Sequence, residues 1–162
     1  MFENFTKSAL ESLVLAQSIA SLQNHKEANS EQLLFSMGTL DESQTKDLLA
    51  AAGLTREKIF AAIQNSAQNL SFDDIERRLI HLDMAFIEEL PLHQSITAII
   101  EFAGKLATQS DRTCITNEHL LLALLETDKG TASAWLSADG IGEMKESLRQ
   151  CLNASKTVSH SS

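Results

Sequence analysis

Two acidic residues occupy matching places in a seven-residue pattern that the chain uses twice. The copies are Asn29-Ser30-Glu31-Gln32-Leu33-Leu34-Phe35 and Thr116-Asn117-Glu118-His119-Leu120-Leu121-Leu122. Asn29 and Thr116 are residue types that cap helices, which places Glu31 and Glu118 in a first helical turn. A carboxylate there offers charge-assisted hydrogen bonds to a cationic group. The helix macrodipole also favours an acid at this position by about 0.3–1 kcal/mol, so glutamate is expected there even without a ligand.

Cys114 and His119 could in principle act as a nucleophile and its general base. No third group that would orient the histidine is identifiable, and the residue matching Cys114 in the first copy is Glu27. We therefore favour a partly buried structural thiol and assign no catalytic residue. The histidines show no HExxH or similar spacing, so the sequence predicts neither a metal site nor a cofactor.

The repeat extends well beyond the seven residues. The same offset of 87 positions, without a gap, pairs small, apolar or helix-ending residues, namely Ala16 with Ala103, Ala20 with Ala107, Leu49 with Leu136, Ala51 with Ala138 and Gly53 with Gly140. A duplicated helical unit explains this self-similarity.

Each copy has the signals of four helices. In the first copy, Thr6 caps helix one, Asn29 with Gln32 forms a capping box, Gly53 ends helix three and Thr55 caps helix four. In the second copy, Ile96 to Ala107 marks the first helix and Thr116 caps the second. Residues 130–139 are predicted to form the third helix, with Gly140 ending it as Gly53 does. Trp135 matches Leu48 and is predicted to fill the third-helix core of repeat two.

The predicted fold is all-α, with two tandem four-helix repeats related by a pseudo-two-fold. Repeat one covers about 2–66 and repeat two about 92–152, which together with the connector form one domain over 1–152. The connector 67–91 is predicted to be helical over 72–90, although Leu79 to Leu82 could also run extended. The Ser-rich segment 153–162 is predicted to be a flexible linker or tail.

Charge and composition exclude several classes of function. A formal charge of −9 disfavours nucleic acid and anionic membrane surfaces and favours basic or arginine-bearing partners. No apolar run approaches bilayer length, and the start of the chain lacks the features of a signal peptide. Two cysteines without a CxxC pair suit a reducing compartment, so a cytoplasmic location is predicted.

The order and spacing of these residues resemble the N-terminal domain of the Clp/Hsp100 AAA+ unfoldases of ClpC, ClpA and ClpB type. The resemblance covers about residues 2–152. Its residues in the first half are Phe5-Thr6, Ala9, Ala16, Ala20, His25, Ser30-Glu31, Leu33-Leu34, Leu48-Leu49 and Gly53, and those in the second are Leu90-Pro91-Leu92, Ala103, Ala107, 117–122 and Gly140.

The resemblance implies a non-catalytic accessory domain that recruits protein substrates and adaptor proteins for ATP-driven rings and their protease, in cis or in trans. The sequence has no G-x-x-x-x-G-K-[ST] loop to hold ATP phosphates. Two alternatives stay open: a free-standing adaptor or regulator of such an unfoldase, and, more distantly, an independent enzyme. Whether the reading frame continues into a Walker motif would separate an accessory domain of a longer unfoldase from a free-standing adaptor or regulator.

The resemblance also implies a ligand site in each repeat. In Gram-positive members of the family, the glutamates matching Glu31 and Glu118 hold the guanidinium of phosphorylated arginine, and the phosphate lies near the start of each repeat's first helix. The pairs implied here are Thr6 with Glu31 and His93 with Glu118, each 25 positions apart. A hydroxyl is expected where His93 stands, although a protonated imidazole could also face phosphate.

A hydrophobic surface for unfolded segments and adaptors is a further implication of the resemblance. The candidates are the apolar residues at the entrances to the paired first helices: Phe2, Phe5 and Leu92.

Overall fold

The computed structural model describes residues 4–40, 44–66, 70–80, 92–109 and 114–161. Within these ranges the regular structure is helical, with two isolated β-bridges and no strand. The helices are α1 Lys7–Leu22, α2 Ser30–Thr39, α3 Gln44–Ala51, α4 Arg56–Ser66, α5 Phe72–Ile80, α6 Gln94–Gln109, α7 Asn117–Thr127, α8 Lys129–Trp135 and α9 Ala138–Ser161. The prediction of an all-α fold is confirmed.

The helices form two four-helix repeats, α1–α4 and α6–α9, which are joined through α5. In each repeat the first two helices pack as a hairpin, α1 on α2 and α6 on α7. The second helices, α2 and α7, also contact each other and therefore lie at the centre of the molecule. The β-bridges Phe5 to Ile115 and Ala28 to Leu92 exchange under the 87-residue offset, as a pseudo-two-fold requires.

The two central helices are almost completely buried. Leu33, Leu34 and Phe35 of α2 and Leu120 and Leu121 of α7 are inaccessible to solvent. Truncating a buried leucine to alanine typically costs about 2–5 kcal/mol, so this layer fixes both helices firmly. The first turns of α2 and α7, which carry Glu31 and Glu118, are thereby held in place.

The predicted helix signals are confirmed at most positions. Thr6 Oγ1 accepts from the backbone N–H of Ala9 at 3.2 Å, and capping boxes begin both α2 and α7. Gly53 has φ 104°, a conformation that glycine adopts without steric cost. Thr55 Oγ1 accepts from the N–H of Lys58 at 3.4 Å at the start of α4.

The predicted end of the third helix in repeat two is wrong. Helix α8 already ends at Trp135, and Gly140 lies in the first turn of α9. Ser137 Oγ accepts from the N–H of Gly140 at 3.0 Å, so the serine caps the start of α9. The glycine that ends a helix in one repeat therefore lies just inside the start of a helix in the other.

The structure agrees with the prediction in the described part of the connector and differs from it in the C-terminal segment. Helix α5 confirms the helical interpretation over 72–80, including Leu79, while 67–69 and 81–91 lie outside the described residues. Helix α9 continues to Ser161, although the sequence predicts a flexible linker or tail over 153–162. The division between a domain over 1–152 and a linker stays a prediction.

Candidate functional site

The start of α2 is surrounded by residues of the opposite repeat. The backbone N–H of His93 donates to the carbonyl of Ala28 at 2.8 Å. The N–H of Ser30 donates to Ser95 Oγ at 3.2 Å, and that hydroxyl lies 3.0 Å from His93 Nδ1. We call Ser30, Glu31, His93, Ser95 and Trp135 the Glu31 cluster.

The start of α7 has a corresponding arrangement. The backbone N–H of Thr6 donates to the carbonyl of Ile115 at 3.0 Å, directly before the cap Thr116. Ser12 Oγ of α1 donates to Asn117 Oδ1 at 2.7 Å. We call Thr6, Ser12, Asn117 and Glu118 the Glu118 cluster.

These contacts differ from the pairs that the family resemblance implies, Thr6 with Glu31 and His93 with Glu118. Thr6 lies beside the start of α7, the helix that carries Glu118. His93 lies beside the start of α2, the helix that carries Glu31. The reason is the pseudo-two-fold. Each β-bridge joins the residues just before the first helix of one repeat to the residues just before the second helix of the other repeat. The assignment of all four residues to ligand binding stays a prediction.

Trp135 is a member of the Glu31 cluster that the sequence did not indicate. Its Nε1 donates to Glu31 Oε2 at 3.4 Å, and its half-buried ring meets Phe35 edge-on with centroids 5.1 Å apart. Both partners belong to α2 of repeat one, so Trp135 joins the repeats, whereas it was predicted to fill the core of repeat two. The only indication of this contact in the sequence is the residue type, because the N–H of a buried indole usually donates a hydrogen bond to an acceptor.

Ser30 connects α2 to α8. Its hydroxyl donates to Asp128 Oδ2 at 2.5 Å and lies 3.0 Å from Thr131 Oγ1. Asp128 in turn caps α8 by accepting from the N–H of Thr131. The same interactions therefore fix the first turn of α2 and the helix that carries Trp135.

Gln32 and His119 occupy matching structural positions in the capping boxes. Gln32 Oε1 accepts from the N–H of Asn29 at 2.7 Å, and Nδ1 of His119 accepts from the N–H of Thr116 at 3.0 Å. Because that ring nitrogen accepts, the proton of neutral His119 lies on Nε2. His119 is fully buried.

Of the three residues predicted for a hydrophobic surface, the structure contradicts Phe5, and the other two assignments stay predictions. Phe5 is 7% exposed and belongs to the core, so its assignment to the surface is wrong; its β-bridge to Ile115 draws it inward. Leu92 is half-buried and packs against the core, and Phe2 lies outside the described residues. The large apolar residues that are exposed in the described part are Phe72 and Ile80 of α5.

The described ranges contain no group of three or more His, Cys, Asp or Glu side chains arranged to hold a metal ion. In the same ranges no helix has both the length and the apolar character needed to cross a membrane.

Comparisons with known proteins agree with this architecture. A family model described as the Clp repeat (R) N-terminal domain matches residues 4–139. The rice (Oryza sativa subsp. japonica) chaperone protein ClpC1, chloroplastic, is 28% identical over 142 residues, which are 86% of this chain and 14% of that protein. This chain therefore spans about one-seventh of that relative.

A solved structure has the same fold. The crystal structure of the N-terminal domain of the caseinolytic protease associated chaperone ClpD from Arabidopsis thaliana superposes with a TM-score of 0.70. The alignment covers 94% of this chain and 99% of that one at 20% sequence identity.

Proposed function

The chain belongs to the Clp repeat (R) N-terminal domain family, and on that basis we propose that it recruits protein substrates or adaptor proteins to an ATP-driven Clp unfoldase. The observation that carries the proposal is the family match over 4–139, which includes nearly all of repeat one, repeat two up to the start of α9, and both acidic clusters. Members of this family are accessory domains and typically non-catalytic. The ATPase ring and any associated protease are therefore partners, in the same polypeptide or in another.

The proposed ligand is a segment with a phosphorylated arginine. Glu31 and Glu118 are each partly exposed in the first turn of a capped helix, where a carboxylate can accept two hydrogen bonds from guanidinium. Backbone N–H groups at a helix start suit phosphate. Thr6 lies beside the start of the helix with Glu118, and His93 lies beside the start of the helix with Glu31. This proximity supports a site in which one group faces the phosphate and the other the guanidinium.

The acidic balance of the chain favours the cationic part of such a partner, the guanidinium. With a formal charge of −9, the surface favours segments rich in lysine or arginine over acidic ones. Phosphate adds negative charge, so its binding depends on local donors at each cluster. A cytoplasmic location is also part of the proposal. The rice relative, by contrast, is described as chloroplastic.

The proposal is tested by protein capture. The chain is immobilised and exposed to an unfolded protein such as casein, with and without enzymatic phosphorylation of its arginines. We expect retention of the phosphorylated form and much weaker retention of the unmodified form. Equal retention of the two forms would contradict phosphorylated arginine as the ligand. Retention of neither form would contradict direct recruitment of substrates.

A further inference from the structure

The two acidic clusters differ although the repeats are related by a pseudo-two-fold. Glu31 accepts a hydrogen bond from Trp135. In the part of the chain that the structure describes, the carboxylate of Glu118 has neither a hydrogen-bond nor an ion-pair partner. The residue that matches Trp135 is Leu48, which has no donor.

Trp135 is itself held in a fixed position. Its ring lies edge-on against Phe35, which is fully buried. Its helix α8 is tied to the first turn of α2 through Ser30, Asp128 and Thr131. The indole N–H therefore approaches Glu31 from a rigid support built by both repeats.

We infer that Trp135 is a positioning residue, and that it gives the Glu31 cluster a higher affinity for an arginine-phosphorylated segment than the Glu118 cluster has. This inference rests on the proposed function. A glutamate that is already oriented loses less side-chain freedom when a ligand binds, and this reduces the cost of association. Among the described residues Glu118 has no such hydrogen bond, so its carboxylate must be ordered by the ligand.

The hydrogen bond from Trp135 leaves the carboxylate able to bind guanidinium. A carboxylate has about four acceptor sites, and the indole uses one of them on Oε2. Oε1 and the second lone pair of Oε2 can still receive the paired N–H groups of an arginine. The nearby indole ring adds an electron-rich surface of the kind that attracts cations.

The first test uses the natural fluorescence of the chain, because Trp135 is its single tryptophan. The full chain is titrated with phosphoarginine while the emission is recorded, and Glu31→Gln is compared with the matched control Glu118→Gln. We expect Glu118→Gln to keep the emission change and Glu31→Gln to lose it. An emission change that follows Glu118 instead would overturn the inference.

The second test measures affinity by calorimetric titration with phosphoarginine. Trp135→Phe keeps an aromatic ring against Phe35 but removes the N–H donor. We expect the tighter class of sites to weaken about three- to tenfold, as the typical net contribution of one hydrogen bond allows, and the weaker class to stay within about twofold. A general loss of structure would weaken both classes and lower the melting temperature, so the expected pattern is specific to positioning.

A double-mutant comparison completes the test. In the Glu31→Gln background, Trp135→Phe should have no further effect, because the two residues act through one interaction. If the parent binds phosphoarginine with two equal sites, or if Trp135→Phe leaves the tighter class unchanged, the inference fails while the proposed ligand stands. If the parent binds no phosphoarginine at all, the proposed ligand fails together with it.

Discussion

At the scale of single residues, the caps of α2 and α7 depend on short sequence separations. Asn29 with Gln32 and Thr116 with His119 lie three positions apart, and both capping boxes were predictable because local geometry determines them. The hydrogen bonds of Ser30 to Asp128 and of Trp135 to Glu31 span 98 and 104 positions. They depend on how the repeats dock, which residue types and spacing do not specify.

Thr116 provides a direct test of the capping role. Thr116→Ala removes the hydroxyl that accepts from the N–H of His119. We expect the free energy of unfolding to fall by about 1 kcal/mol, measured by urea denaturation. Thr108→Ala is the control, because Thr108 is exposed and its hydroxyl only bonds to the carbonyl of Gly104 in its own helix. Equal effects of the two substitutions would contradict the capping role.

Asp74 is expected to show a shifted titration. The backbone N–H of Ser71, then its hydroxyl, and more weakly Arg77, favour the ionised carboxylate and hold the pKa of Asp74 below its usual 3.8. Because the pKa in the folded state is depressed, the group contributes stability above its unfolded pKa and loses it as the pH falls through the folded value.

Carbon-detected NMR of the Asp74 carboxyl during an acid titration checks this expectation. Ser71→Ala removes the hydroxyl but keeps the backbone N–H, so the pKa of Asp74 should rise part of the way toward its usual value. A pKa that does not move in this variant would show that the hydroxyl has no part in the shift.

At the scale of elements, the duplication predicted the number and order of helices but not every boundary. Gly53 and Gly140 match in the repeat, yet Gly53 has positive φ whereas Gly140 does not. Ser137 captures the N–H of Gly140 and starts α9 there. Sequence identity at equivalent positions therefore did not ensure the same backbone conformation, because a neighbouring cap decided it.

The two types of glycine should respond oppositely to alanine. At Gly53 a Cβ would meet no atom within 4 Å, so the penalty of Gly53→Ala comes from φ 104° alone, and a loss of about 1–3 kcal/mol in unfolding free energy is expected. Gly142→Ala is the matched comparison, since Gly142 is exposed in α9 with equally open space. It should gain up to about 1 kcal/mol from helix propensity. Thermal and urea unfolding of both variants measure the difference, and a shared sign would be inconsistent with the positive φ.

At the scale of the whole molecule, the repeats complete each other. The central pair of α2 and α7 and the crossed β-bridges are contacts between repeats, so neither repeat alone covers its apolar residues. The duplication and the spacing of apolar residues were enough to predict this general architecture. The proposed ligand sites came from family resemblance, and the spatial neighbours of Glu31 and Glu118 could be named only when the docking of the repeats was known.

Separate halves should therefore fail to fold and should assemble when mixed. Fragments 1–80 and 81–162 are expected to show weak helical circular dichroism alone and to gain helical signal together. Apolar surface that each half would leave exposed provides the driving force. A cooperative unfolding transition in either isolated fragment would contradict the dependence of one repeat on the other.

Glu31 and Glu118 are proposed to receive arginine-phosphorylated segments. The most direct measurement is calorimetric titration of such a peptide into the parent chain and into the Glu31→Ala, Glu118→Ala double variant. The control is Glu57→Ala with Glu143→Ala, which removes the same charge from exposed acids in α4 and α9. We expect at least about tenfold weaker binding in the first variant, because charged hydrogen bonds are lost, and a nearly unchanged affinity in the control. A parent that does not bind the peptide, or a double variant that binds it as tightly as the parent, would contradict the claim.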